Sequence, residues 1–270
     1  MAPRPFLRAV TLLTPPILVI YGINKGINHL ESRYPPLPAD TTTSTALRTP
    51  QSTSQFCRHV DVYSAKIPLR HLENRIKDKD SSTPSPQELH EAWARTLIGS
   101  SVLRTEGSLI GLLTRWKWHP GDVGDGCNGF GTNRKTGAPR KLLNGVFTVQ
   151  RTPAERDGRE HGLLVSWTLS PDLRRLFEKI ARWGYPWRFM SGGRHEISVS
   201  EPFKGDGGEY VEVLFATAHD YKIIPEEGDL SKQKAIPEWT GRLHRAFARL
   251  VLDVAVRELK WEDERKGKGL

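Results

Sequence analysis

The chain has 270 residues, room for one large domain or two small ones, and its 37% hydrophobic content is that of a protein that buries a core. Lys and Arg number 40 against 31 Asp and Glu, and the resulting charge of +9 suits an anionic partner, nucleic acid or an acidic bilayer surface, although the basic residues are spread along the chain. Eight Trp against two Met speak against an adaptable Met-rich surface, and the absence of a C-x-x-C pair excludes the usual zinc and thioredoxin-type spacings.

Cys57 and Cys127 are the two cysteines, and they form a disulfide only if the domain faces an oxidising lumen. At the N-terminus, Arg4 and Arg8 precede an apolar run from Ala9 to Ile23 (AVTLLTPPILVIYGI). At about 1.5 Å per residue the run spans roughly 22 Å, short of the ~30 Å hydrocarbon core unless Arg8 snorkels. Pro15-Pro16 kinks it, which membrane segments tolerate. A signal anchor, a cleaved signal peptide and a mitochondrial presequence compete. The second lacks a small-x-small site before Glu31, and the third is amphipathic where this run is apolar throughout. The anchor fits best. Residues 1–33 are thus expected as a membrane helix with its flanks, N-terminus cytosolic, in a single-pass protein of an endomembrane or mitochondrial compartment.

Residues 34–56 are rich in Pro, Thr and Ser and read as an extended stalk. A single α+β domain is expected over residues 57–262, with a charged tail at 263–270. His59 to Ile67 (HVDVYSAKI) alternates as a first strand, with Val60, Val62 and Ala65 as its apolar members. Ser85-Pro86-Gln87-Glu88 opens a helix with a capping box, and Leu89, Trp93 and Leu97 share one of its faces. A second helix covers Ser101 to Arg115, with Leu109, Leu112, Leu113 and Trp116 as its apolar set. Trp118 to Arg140 is loop, punctuated by Gly and Pro.

Val146 to Arg151 and Gly162 to Leu169 read as strands. Ser170-Pro171-Asp172 caps a helix with Leu173, Leu176, Phe177, Ile180 and Trp183 on its buried side. His195 to Ser200 and Tyr210 to Ile224 are further strands, joined through a turn at Asp206-Gly207-Gly208. From Pro237 a helix of about 24 residues carries Trp239, Leu243, Phe247, Leu250 and Val254 as one apolar stripe, with Arg242, Arg245, Arg249 and Asp253 opposite.

This order, a strand, two helices, antiparallel strands and a long C-terminal helix, resembles the helix-grip superfamily (Bet v 1, START and polyketide-cyclase-like proteins). The residues that carry the resemblance are HVDVYSAKI and EWTGRLHRAFARLVLDVAVREL, and it covers about three quarters of the chain. It implies an antiparallel sheet packed on the final helix with an apolar cavity between them. The helix PDLRRLFEKIARW departs from the pattern, so another α+β fold with one sheet face covered by helices stays open.

Strand parity places Val211, Val213, Phe215, Thr217, His219 and Tyr221 on one face, and His195 with Ile197 and Val199 on another such face. Leu163, Val165, Trp167 and Leu169 share a third. Trp167, His195, Phe215, His219 and Tyr221 are therefore the candidate ligand-binding residues, polar and aromatic groups on an apolar wall. A histidine there relays a proton near neutral pH, and Tyr221 donates to a carbonyl; equally, such residues serve as ordinary core or rim groups. Gly124 to Gly129 matches G-x-G-x-x-G without the strand and helix that give it meaning, and reads as a flexible loop or cavity lid. No catalytic residue, metal site or cofactor is assigned.

The functional expectation is a membrane-anchored domain that binds a hydrophobic small molecule or lipid, as a non-redox cyclase or isomerase of natural-product biosynthesis or as a lipid carrier. The alternative is a membrane-tethered interaction or assembly factor without catalysis. Nucleic acid is not an expected partner, since basic and aromatic residues do not interleave on one strand face.

Overall fold

The computed structural model describes residues 21–76, 84–126, 129–133, 136–154 and 162–267. A helix α1 (residues 21–33) and two single-turn helices, α2 (Ala39–Thr42) and α3 (Thr45–Arg48), come first. Strand β1 (Gln55–Pro68) is followed by α4 (Leu69–Glu73), α5 (Pro86–Ile98) and α6 (Ser101–Arg115). Then come β2 (Lys141–Leu142), β3 (Phe147–Arg151), β4 (Leu163–Thr168) and α7 (Pro171–Arg182). Strands β5 (Gly192–Val199), β6 (Phe203–Gly205) and β7 (Gly208–Lys222) lead to the long α8 (Glu238–Gly267).

Local chemistry sets these boundaries. Ser85 Oγ accepts from Glu88 N at 3.3 Å while Ser85 N donates to Glu88 Oε2 at 2.7 Å, the reciprocal capping box that starts α5. Ser170 Oγ accepts from Leu173 N at 3.4 Å and Pro171 follows at the first helical position, so α7 starts where expected. Gly205 pairs with Gly208 around a two-residue turn, in which Gly207 takes φ 88°, a conformation that side chains disfavour.

Every strand pair is antiparallel, in the order β1-β7-β5-β4-β3-β2, with β6 attached to β7. The first strand therefore lies beside the last. Helices α5, α6 and α8 cover the inner face, where Trp93, Leu97, Ile197, Val213, Leu252 and Leu259 belong to the main core. Trp93 Nε1 donates to Leu214 O at 3.0 Å and pins α5 to the sheet. The outer face carries a smaller core of Val62, Leu164, Ala216 and Ala218 closed by Leu47. The result is an α+β architecture, an antiparallel sheet packed against a long C-terminal helix.

The N-terminal membrane helix is a correction. No helix among the described residues is long and apolar enough to cross a membrane, so the single-pass, signal-anchored topology is not supported. Residues 9–20 of the apolar run lie outside the described residues, and residues 21–23 belong to α1, which is fastened to the domain. Ile27 is buried, and Glu31 holds the Arg242 guanidinium of α8 at 2.8 and 2.9 Å. Residues 34–56 are not an extended stalk either. Ser44 N and Oγ both donate to Glu196, Arg194 Nε donates to Leu47 O at 2.7 Å, and Leu47 is fully buried. A segment poor in apolar residues docks because buried charged groups of the sheet satisfy its backbone.

Three helices turn unexpected faces inward. On α8 the buried side is Ala248, Val251, Leu252, Ala255, Val256 and Leu259, whose small members admit a close approach to the sheet. Arg249 and Asp253, expected in solvent, are buried because Tyr34 meets them: Arg249 Nε donates to Tyr34 O and Tyr34 OH donates to Asp253 Oδ1, both at 2.9 Å. Trp239, Leu243, Phe247 and Leu250 are left exposed. On α6, Leu109, Leu112, Leu113 and Trp116 are exposed, while Gly107 and Gly111 face inward against the loop that follows; a Cβ on Gly107 would lie 2.8 Å from Pro120 O. On α7 only Ala181 is buried.

Candidate functional site

Strand register assembles the site. On β7, Phe215, Thr217 and His219 share the inner face; β5 sets Ile197 opposite Phe215, His195 opposite Thr217 and Gly193 opposite His219. Strand β4 adds Val165 opposite His195 and Trp167 opposite Gly193. On the other flank, β1 places Asp61 against Thr217 and His59 against His219. Gly193 makes room for the indole: a Cβ there would stand 2.9 Å from Trp167 Nε1.

Above these rows, the sheet, α6 and α8 enclose a cavity of about 240 Å³. The sheet supplies Phe147, Trp167, His195, Phe215 and Thr217; α6 supplies Leu103 and Glu106; α8 supplies His244, Phe247, Ala248 and Val251. Phe189 and Met190, from the segment after α7, complete the rim.

The polar groups are few and mostly neutral. The His195 ring lies edge-on to Phe147 at 5.3 Å and is stacked on Phe215 at 5.4 Å. Burial, helped by nearby His244, pushes its pKa down to about 3, so His195 is uncharged at physiological pH. His195 Nδ1 and Thr217 Oγ1 are buried and have no hydrogen-bond partner. His219 Nε2 and His244 Nε2 are 2.7 Å apart, so one must carry a proton and the other must not. Burial lowers both pKa values below the usual imidazole range; His244 adds to the lowering at His219, and Arg245 to that at His244. Burial raises the Glu106 carboxyl above its ordinary value, so it keeps its proton to higher pH. These groups can donate to or accept from a neutral polar group of a guest. Among the described residues the lining offers no Ser, Cys or Lys nucleophile.

Of the five candidates read from the sequence, Trp167, His195 and Phe215 line the cavity. His219 stands one layer back and reaches it through His244. Tyr221 lies apart, fully buried with its ring 5.8 Å from Phe56. Parity had already placed Thr217 on the right face. Glu106 and His244 were missed, although each is a polar residue in an otherwise apolar helical stripe, a visible signal.

Elsewhere, Gly124 and Gly129 sit in the loop between α6 and β2, not between a strand and a helix. Asp122 there is paired with Arg140, whose Nη2 donates to its Oδ1 at 2.9 Å. Cys127 lies outside the described residues. Among the described residues no group of three or more His, Cys, Asp or Glu is placed to hold a metal ion.

No protein-family model, no curated protein and no solved structure matches this chain. The expectation of a membrane-anchored cyclase, isomerase or lipid carrier is corrected at its first premise, because no helix among the described residues can span a bilayer. The membrane-tethered assembly factor fails at the same point. A membrane partner through the N-terminal segment and an endomembrane or mitochondrial single-pass location fall with it, as does the assignment to natural-product biosynthesis, which no observation supports.

Proposed function

We propose that this chain is a binding domain for a small, neutral organic molecule, held in the cavity between the sheet and α8 in a helix-grip-like arrangement. The fold part of this reading is supported by β1 lying beside β7, by α5 and α6 following the first strand, and by α8 crossing the inner face. The binding part rests on one observation. His195 and Thr217 line an otherwise largely apolar cavity, and His195 Nδ1 and Thr217 Oγ1 are buried with no protein partner. A buried polar group left unpaired costs about 1–3 kcal/mol, so a guest that hydrogen-bonds to both is favoured over an empty site.

Size and charge narrow the guest. At about 240 Å³ the cavity is smaller than the ~300 Å³ at which sites for drug-sized ligands begin, so a compact guest of two or three rings fills it. A neutral His195 favours an uncharged carbonyl or hydroxyl group over an ion, and burial disfavours charge on Glu106.

The test is titration with the neutral fluorophore N-phenyl-1-naphthylamine. The wild-type protein should enhance its emission saturably at one equivalent. Ala248→Trp, which fills the cavity from α8, should abolish the enhancement while leaving the circular dichroism unchanged. Equal binding by both proteins, or none by the wild type, would discard the proposal.

A further inference from the structure

Helix α7, which the helix-grip order does not require, contributes nothing to the cavity wall where it stands. Residues 169–191 leave the sheet after Thr168 and return at Gly192, and those two residues are paired across β4 and β5. Leu169 N also donates to Ser191 O at 3.1 Å. The chain of the excursion thus leaves and re-enters the sheet at one edge, as a flap does. That edge is the cavity rim, since Trp167 just before the excursion and Phe189 and Met190 near its end are lining residues.

Helix α7 is lightly held. Ala181 is its one buried residue, and Phe177 stacks on Phe189 at 5.0 Å. Two lysines fix its position: Lys222 Nζ lies 3.2 Å from Glu178 Oε2, and Lys234 Nζ donates to Ala181 O at 2.7 Å. The returning segment is firmer, because buried Arg188 bonds Gln233 and Glu227. Between the two, Gly184 takes φ 99° with nothing within 4 Å of its Cβ position, a free joint.

Two apolar surfaces face water around this mouth. Leu173, Leu176 and Trp183 of the flap are exposed, Trp183 to 75%. On α8, Leu243, Phe247 and Leu250 are exposed too, and Phe247 also lines the cavity. Phe189 and Phe247, both lining and both more than a third exposed, mark the opening. Apolar area left in water beside a matching apolar area favours contact between the two, and a guest whose surface extends the platform favours it further.

We propose that α7 is the lid of this cavity: it pivots at Ser170 and Gly184 and, once a guest is bound, lays Leu173, Leu176 and Trp183 over Leu243, Phe247 and Leu250. The proposal rests on the small-molecule reading above. The structure holds the lid parked beside the mouth, with Lys222 and Lys234 as its rests.

Two measurements with N-phenyl-1-naphthylamine as guest test it. Amide hydrogen exchange across residues 171–183 should slow at saturating probe. In stopped flow, Leu173→Asp/Leu176→Asp should release the probe roughly ten-fold faster or more than wild type, since loss of a closing contact shows in the off-rate. Should that double variant misfold, Leu176→Gln at the same exposed surface makes the comparison. Probe binding with unchanged exchange in 171–183, or with unchanged release, overturns the lid and leaves the cavity reading standing. Failure of the probe to bind overturns both.

Discussion

Glu106 and the buried histidines make opposite contributions to the pH dependence of stability. Burial raises the Glu106 pKa, so its contribution is complete below the carboxyl's unfolded value and is lost as pH rises through the higher folded value. Glu106→Gln should therefore stabilise the protein at pH 8 and change little at pH 4, measured by urea midpoints. His195, His219 and His244 have depressed values, so their contribution is complete above about 6.5 and is lost as pH falls from there, for His195 towards about 3. Stability should fall by a few kcal/mol, to order of magnitude, between pH 7 and pH 4. His195→Phe, which keeps an aromatic ring between Phe147 and Phe215, should flatten that fall. An acid limb of equal steepness in that variant would show that His195 is not its main source. Parity on β7 and β5 made His195 and Thr217 legible beforehand, because alternation is a property of the strand itself. The partnership of His219 with His244 was not, since it joins a strand to a helix through packing that no local pattern encodes.

At the scale of elements, boundaries were readable and orientations were not. The capping box at Ser85, the Ser170-Pro171 start and the Gly207 turn each act within a few residues, and they fall where the sequence puts them. For α8 the larger side chains pointed to the wrong face. Trp239, Leu243, Phe247 and Leu250 form the more apolar stripe, yet Ala248, Leu252 and Ala255 allow the closer approach, and Tyr34, Arg33 and Arg257 meet the charged groups buried beside them. The consequence is an asymmetry in mutational cost. Leu252→Ala should cost about 2–5 kcal/mol, as a buried leucine does. Leu243→Ala should stay within roughly 1 kcal/mol, because its side chain is already half in water. Thermal melts of the two variants compare them directly, and similar losses would mean that α8 turns its larger residues to the sheet.

Across the whole molecule, the pairing of β1 with β7 joins residues more than 140 positions apart: Gln55 lies opposite Lys222 and Pro68 opposite Tyr210. Such long-range closure cannot be inferred from local propensity, and it explains why a resemblance in element order could suggest the sheet but not which groups would meet across it. The docking of residues 34–48 on the outer face was equally hidden, for it depends on Glu196 and Arg194 being presented by a strand formed far downstream. This wiring also bears on how the chain comes off the ribosome. Strand β1 is made early, but its one neighbour in the sheet among the described residues is translated some 140 residues later, and α8 later still. Until then a fourteen-residue strand has an open edge on both sides. The first strand therefore cannot reach its place in the sheet until synthesis is nearly complete, and its bare edge is where the nascent chain is most open to pairing with another polypeptide.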